Sequence, residues 1–179
     1  MLMSQQPVVT ANRKIAQSRI FHIEELEITF PNGARRTYER LLGTRRDSVI
    51  ILPYLDDGTI LLIREYAAAN ECYELSLPKG MVDPGEEPLA AANRELQEET
   101  GFAAAQLRYL RKLDLAPGYI RHATHAVAAT GLTPSRLQGD EPEKLEIVPW
   151  RVAELDKLLR HPDLSDARAI ATLLLALHL

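Results

Sequence analysis

The sequence predicts an α+β fold, an α/β/α sandwich built around a mixed β-sheet, and three observations support this prediction. Strand-like and helix-like segments are interleaved along the 179 residues without a strict alternation. Two apolar runs joined by a turn, SVIILPYL and TILLIREY, indicate a buried hairpin. Later segments repeat apolar residues at helical spacing. With 46 % hydrophobic residues, a chain of this length can bury one sizeable core.

The first 44 residues are predicted to form an appended unit. Residues 1–18 are polar and show no steady period, so we predict a loose arm. Residues 19–30 alternate apolar and polar side chains, Pro-Asn-Gly then supplies a turn, and residues 34–42 run back as a second strand. We therefore predict an arm and a β-hairpin over residues 1–44, and the main domain over residues 45–179.

The main domain continues after the buried hairpin with shorter elements. We predict a short extended segment at residues 72–78, strands near residues 106–115, 123–130 and 145–150, and helices at residues 88–100, 151–160 and from 165 to the end.

Composition excludes several kinds of partner. A net charge of −4 gives no basic surface for a nucleic-acid backbone, so we predict no nucleic acid among the partners. The longest apolar run is too short to cross a bilayer, and the start has no apolar leader, so we predict no membrane contact. A single cysteine rules out an internal disulfide and fits a reducing compartment. The expected location is cytoplasmic.

One helix carries an unusual cluster of carboxylates. Pro88 fits the first helical position and Gly101 the stop, which predicts a helix from Pro88 to Thr100. Steps of three and four residues place Glu95, Glu98 and Glu99 on one face. Arg94 precedes Glu98 by one turn and can pair with it.

This carboxylate face has two interpretations. It is either a solvated charged surface, in which repulsion between the glutamates destabilises the helix only slightly, or a face that a bound cation neutralises. Ligands that are all oxygen select a hard ion, so the sequence favours Mg²⁺, with Mn²⁺ as the alternative. Magnesium held by a few carboxylates, with positions left for water and phosphate, is typical of phosphoryl chemistry.

The same residues resemble a known family. From Gly80 through Glu86 to Arg94-Glu95-Leu96-Gln97-Glu98-Glu99-Thr100-Gly101-Phe102, the sequence matches the complete Nudix box, GX5EX7REUXEEXGU. Further stretches, REYAAANECYEL, KGMVDPGE and GDEPE, resemble the bacterial ADP-compound hydrolases of the NudE type and the ADP-ribose pyrophosphatases. The resemblance extends from about Ser18 onward and identifies residues 45–179 as a Nudix domain.

This resemblance implies metal-dependent hydrolysis of a nucleoside diphosphate linked to another group, and it implies roles for individual residues. Glu95 and Glu99 are the expected metal ligands, with Glu98 as a third ligand or a water-bridged neighbour that serves catalysis, and the backbone carbonyl of Lys79 beside them. Arg94 is expected to orient a glutamate. In the later stretch GDEPEKLE, Glu141 is the expected general base and Glu143 a further metal ligand. The role of Glu86 and the identity of the base stay open.

Substrate and assembly are also implied by the resemblance. Pro117 follows Phe102 by fifteen residues, as in ADP-ribose hydrolases, and Tyr119 by seventeen, as in diadenosine polyphosphate hydrolases. Both are expected to contact an adenosine-containing substrate such as ADP-ribose, NADH or a diadenosine polyphosphate. Arg64 and Glu74 are expected to flank the substrate. The N-terminal hairpin is expected to build a homodimer in which Arg35 and Arg36 line the partner's cleft.

Two other functions remain as alternatives. One is an RNA 5′-pyrophosphohydrolase, which the acidic net charge disfavours. The other is a Nudix module that senses a nucleotide without cleaving it, which the intact box disfavours.

Overall fold

The architecture is taken from a computed structural model, which describes residues 5–43 and 46–176. The chain forms two compact units. The first comprises Met1–Arg46 and Asp114–His122, and the second Asp47–Leu113 and Ala123–Leu179. The predicted boundary between residues 44 and 45 lies outside the described residues.

The first unit is a four-stranded sheet. Its strands are β1 (Val8–Gln17), β2 (His22–Thr29), β3 (Arg35–Leu42) and β9 (Ile120–Arg121), in the order β1-β2-β3-β9. Strands β1 to β3 pair antiparallel, and β9 adds to β3 in parallel. The predicted hairpin is thus β2 and β3, and the turn between them uses Gly33 at φ 81°.

The predicted loose arm is wrong for residues 8–17, because they form strand β1. All ten residues of β1 are exposed, so neither of its faces needs to be apolar, and the sequence shows no alternating pattern. The strand is held by its ladder to β2, from Val8 opposite Thr29 to Gln17 opposite His22.

The second unit contains a mixed sheet. Its strands are β4 (Ser48–Asp56), β5 (Thr59–Ala67), β6 (Cys72–Ser76), β7 (Lys79–Met81), β8 (Phe102–Asp114), β10 (Ala123–Pro134) and β11 (Glu146–Arg151). The order is β11-β5-β4-β10-β8, with β6 paired to β5 and β7 paired to β4. The β4–β10 pair is parallel, whereas β5 pairs antiparallel with β4 and β11. The predicted mixed sheet is therefore confirmed.

Helices cover both faces of this sheet. Alternate residues of β4 point to opposite sides, so Ile50 and Leu52 belong to one buried cluster and Val49 and Ile51 to the other. The first cluster packs against helices α2 (Leu155–Leu158) and α3 (Ala167–Ala176), and the second against α1 (Pro88–Thr100). This arrangement is the predicted α/β/α sandwich.

Most element boundaries differ modestly from the prediction. Helix α1 has the predicted ends, and Gly101 closes it in the left-handed conformation at φ 79°. The helix predicted for residues 151–160 is shorter, because β11 continues to Arg151 and a 3₁₀ turn, Val152–Glu154, precedes α2. Strands β8 and β10 are longer than predicted, and β7 was not predicted. Within the described part of the chain, no helix has the length and apolarity needed to cross a bilayer.

Candidate active site

Strand β7 and helix α1 bring a glycine and a glutamate into direct contact. Leu96, Ala91 and Ala92 are fully buried and seat α1 on the sheet, which turns Glu95 toward β7. A Cβ atom on Gly80 would lie 2.0 Å from the carboxyl carbon of Glu95. Only glycine therefore leaves room for this carboxylate, which is held in a cradle formed by the β7 backbone.

Arg94 holds the surrounding carboxylates. Its guanidinium donates to both oxygens of Glu86 at 3.1 and 2.9 Å, to Glu95 at 2.8 Å and to Glu98 at 3.0 Å. It also donates to the backbone carbonyl of Met81 at 2.8 Å. The hydrogen bond from Arg94 to Glu98 is the pairing that their four-residue spacing predicted. Because one planar cation connects α1 to β7 and to the turn before α1, it fixes the relative positions of three acids.

Glu99 is the most enclosed acid of the cluster at 5 % exposure. Its Oε2 accepts a hydrogen bond of 2.9 Å from the backbone N–H of Lys79. The ammonium group of Lys79 pairs with Glu65 on β5. Lys79 thus contacts Glu99 through its backbone and Glu65 through its side chain.

Burial changes the acidity of two glutamates. Loss of hydration raises the pKa of Glu95 to about 7, an effect that Arg94 opposes and that the nearby charges of Glu98 and Glu141 reinforce. Burial likewise raises the pKa of Glu99 well above its ordinary value, with Glu141 adding to the effect. These carboxylates are poorly solvated as anions, and a bound cation would favour their ionised forms.

Glu86 behaves differently. Hydrogen bonds from Arg94 lower its pKa, and its Oε2 also accepts a hydrogen bond of 3.0 Å from the backbone N–H of Asp83. Both oxygens are therefore engaged in holding the turn to the helix, and this geometry supports a structural role for a residue whose role the sequence left open.

A second segment, the acidic loop (residues 135–145), is attached to the end of α1. Ser135 donates through its hydroxyl to the side chain of Gln97 at 2.8 Å and through its backbone to the carbonyl of Gly101 at 2.9 Å. The backbone N–H of Leu137 also contacts the carbonyl of Gln97. The guanidinium of Arg136 lies over Gly101, 2.8 Å from where a Cβ would stand. The loop therefore begins at a fixed point on the helix.

The loop then passes the carboxylate face. A Cβ on Gly139 would lie 3.4 Å from the Cβ of Glu98 and 2.3 Å from a carboxylate oxygen of Glu141. Glu141 is also near enough to Glu95 and Glu99 to raise the pKa of both. The loop therefore lies against Glu98 at Gly139, and the charge of Glu141 is felt by Glu95 and Glu99.

Glu143 has a different neighbour. Its Oε1 accepts a hydrogen bond of 2.7 Å from the hydroxyl of Tyr73 on β6, and this bond raises the pKa of Tyr73. The ring of Tyr73 packs edge-on against Tyr66 at a centroid distance of 5.4 Å. Glu143 was predicted as a metal ligand, and in this arrangement its carboxylate is bound to Tyr73.

The carboxylates suit a hard cation without forming a complete cage. No three His, Cys, Asp or Glu side chains among residues 5–43 and 46–176 converge as a ready coordination sphere. Arg94 donates to both Glu95 and Glu98 and so occupies one oxygen of each. Magnesium needs only one or two protein carboxylates besides water and substrate phosphate, so the buried pair Glu95 and Glu99 fits this ion.

Two predicted substrate residues are engaged within the protein. Arg64 donates to Asp163 at 2.8 Å and lies 3.4 Å from Glu146. Glu74 accepts hydrogen bonds from Ser165 at 2.7 Å and from Asn70 at 2.6 Å, and these lower its pKa. Both side chains thus link β5 and β6 to neighbouring segments.

Four further predicted residues lie in the first unit. Arg35 and Arg36 are exposed on β3, and the Arg36 guanidinium donates to the carbonyl of Arg35 at 2.8 Å. Pro117 and Tyr119 form a turn before β9, where the Tyr119 carbonyl accepts a hydrogen bond of 2.8 Å from Leu41. The Tyr119 ring is 63 % exposed.

Sequence reasoning missed two contacts of the acidic loop, that of Tyr73 with Glu143 and that of Arg136 with Gly101. Tyr73 is 70 positions from its partner Glu143, and no local pattern indicates such a contact. The sequence carries a weak indication of the Arg136 contact. Arg136 is a cation that follows the predicted strand near residue 130, and cations are favourable at a helix C-terminus such as that of α1.

Most of the chain is similar to known proteins. Residues 44–174 match the NUDIX domain, and residues 7–40 match the NudE-type Nudix hydrolase N-terminal domain. The ADP compounds hydrolase NudE of Escherichia coli K12 is 46 % identical over 96 % of this chain and 91 % of its own length. The ADP-ribose pyrophosphatase of Bacillus subtilis is 27 % identical over 87 % of each chain. A crystal structure of an ADP compounds hydrolase superimposes with a TM-score of 0.92 at 44 % identity, covering 99 % of this chain and 96 % of that one.

Proposed function

The chain belongs to the Nudix hydrolase family, and from this premise we propose that it hydrolyses the diphosphate linkage of ADP compounds, giving AMP and a second phosphorylated product. One observation supports this most directly: the buried acid Glu95 lies against Gly80, the buried acid Glu99 accepts a hydrogen bond from the backbone N–H of Lys79, and the charge of Glu141 on the acidic loop acts on both. The named relatives act on ADP compounds and ADP-ribose, so ADP-ribose, NADH and diadenosine polyphosphates are the proposed substrates.

The proposed cofactor is Mg²⁺, with Mn²⁺ as the alternative, held by Glu95 and Glu99 with help from Glu98 and the Lys79 carbonyl. When bound, such an ion polarises the diphosphate and lowers the pKa of a coordinated water. The chain's own part is to hold the acids in place. Arg94 fixes Glu95 and Glu98, and the Lys79 N–H fixes Glu99.

The proposed general base is Glu141. Its charge acts on Glu95 and Glu99, and its loop lies against Glu98, so a carboxylate there is suited to accept a proton from a water that attacks phosphorus at this site. The loop is attached to α1 through Ser135 and Arg136, and this attachment holds the base at a fixed distance from the helix glutamates.

We predict that purified protein with Mg²⁺ or Mn²⁺ cleaves ADP-ribose to AMP and ribose 5-phosphate, and that it also cleaves NADH and diadenosine triphosphate. Chromatography would resolve the AMP, and reaction in ¹⁸O-labelled water would identify the phosphorus attacked. Chelation of the metal is expected to stop the reaction, because phosphate charge is then no longer neutralised.

The same panel tests the alternatives. Faster hydrolysis of 5′-triphosphorylated RNA than of every ADP compound, with a steep salt dependence, would assign the protein to RNA. Tight binding of ADP-ribose without turnover would assign it to nucleotide sensing. Either result would overturn the proposed substrate class.

We further propose that the N-terminal unit, residues 1–44, builds a homodimer and that Arg35 or Arg36 lines the partner's active site. Strand β1 is exposed along its whole length, and Val9, Ile15 and Phe21 are large apolar residues left in contact with solvent. A surface of this kind is suited to a second copy of the chain. Small-molecule nucleotides as partners and a cytoplasmic location complete the proposal.

For the assembly, we predict a sedimentation mass twice that of the chain at micromolar concentration. The double variant Val9→Lys/Phe21→Lys should shift the protein toward monomer and lower activity, because lysines replace the apolar contact. Leu55→Lys places the same charge on an exposed leucine of the second unit and should leave the mass unchanged. A wild-type chain that is monomeric and fully active contradicts the proposal.

A further inference from the structure

The acidic loop has two attachments, and the second is not part of the Nudix box. The first is at α1, where Ser135 and Leu137 bond to Gln97 and Gly101. The second is the hydrogen bond of 2.7 Å from the Tyr73 hydroxyl to Glu143. Glu141 lies between these two attachments.

The Tyr73 side chain is half exposed and contacts one neighbouring ring. The Tyr73 ring packs edge-on against Tyr66, and the two residues pair across β5 and β6. These strands belong to the sheet that forms the buried core, so Tyr73 offers the loop a donor on a rigid support. A hydrogen bond to a carboxylate is among the stronger side-chain contacts.

From this geometry, and on the basis of the proposed function, we propose that Tyr73 is a positioning residue: it anchors Glu143 and thereby keeps Glu141 beside the carboxylates of α1. Tyr73 then affects the reaction through the loop, and the main role of Glu143 is to accept this hydrogen bond. A loop fixed at one end only would leave Glu141 spread over many positions, and misplacement by about 1 Å is costly to catalysis.

Substitutions separate anchoring from metal binding. Tyr73→Phe removes only the hydroxyl, and we expect it to lower kcat about tenfold while KM for ADP-ribose stays within about twofold. Glu143→Ala should have the same effect, and the double variant should be no worse than either single one. Glu143→Gln still offers a carbonyl oxygen to Tyr73 and should retain most activity. Tyr66→Phe, which removes the hydroxyl of the neighbouring ring, should match the wild type.

A measurement without turnover keeps this test independent of the substrate. In the metal-free protein, Tyr73→Phe should speed amide hydrogen exchange of the peptide covering residues 138–145, whereas Tyr66→Phe should not. If no ADP compound is cleaved but amide exchange is still faster in Tyr73→Phe, the proposed function is wrong and the anchoring of the loop by Tyr73 is supported.

Three outcomes would overturn the anchor. These are unchanged exchange and kcat in Tyr73→Phe, additive losses in the double variant, or a Glu143→Gln variant as impaired as Glu143→Ala with a raised Mg²⁺ requirement. The last outcome would make Glu143 a metal ligand, as the family resemblance implies.

Discussion

Replacing Glu99 by Gln is expected to lower kcat at least about 100-fold while the protein stays folded, and Glu98→Gln is expected to do the same. Glu99 is buried, and loss of hydration raises its pKa, so a cation bound as proposed would stabilise its charge. Glutamine keeps an oxygen that can accept the Lys79 N–H and removes the buried charge. The melting temperature of the metal-free protein should therefore be unchanged or higher.

Two measurements check this prediction. Steady-state kinetics with ADP-ribose report the loss of turnover, and thermal unfolding with and without Mg²⁺ reports metal binding, since a ligand that binds the folded state raises stability. Glu87→Gln is the matched control, because Glu87 precedes the same helix and is exposed. Turnover close to wild type in both Glu98→Gln and Glu99→Gln would mean that the face is an ordinary solvated surface.

Gly80→Ala is expected to reduce activity by a similar factor, at least about 100-fold, for a steric reason. The new methyl group would lie 2.2 Å from both oxygens of Glu95 and must displace them. Because a glutamate side chain is flexible, the fold should survive with Glu95 moved out of its cradle. Gly58→Ala is the control, since its Cβ would find its nearest neighbour at an ordinary 3.7 Å.

A double-mutant cycle shows whether Gly80 acts through Glu95. If it does, Gly80→Ala adds little to the loss already caused by Glu95→Gln, because the displaced group is already disabled. Full additivity, or unfolding of Gly80→Ala at room temperature, would instead show that the glycine is needed by strand β7 itself.

The sequence was most informative where local rules and packing agree. Helix α1 was predicted with its observed ends because Pro88 and Gly101 mark them, and Ala92 and Leu96, which are one turn apart, are buried against the sheet. The same periodicity grouped Glu95, Glu98 and Glu99. Strand β4 was equally clear, since burial on both faces requires a continuous apolar run.

The rest could not be predicted for identifiable reasons. Strand β1 buries neither face, so its sequence carries no alternating signal. Strand β7, Lys79–Met81, is too short to show a period. The contact of Tyr73 with Glu143 joins residues far apart in the chain. A tyrosine in a strand does not itself indicate such a contact, because tyrosine is common in strands.

The attachment of the acidic loop to α1 has a consequence for engineering. Gly101 ends the helix and also leaves room for Arg136, and Leu145 is buried at the other end of the loop. The intervening stretch, residues 138–144, can therefore be varied between two fixed junctions as long as Glu141 and Glu143 are kept. Exchange of its other residues among relatives is a route to new catalysts, because these residues follow the loop past the helix while the helix glutamates keep their places.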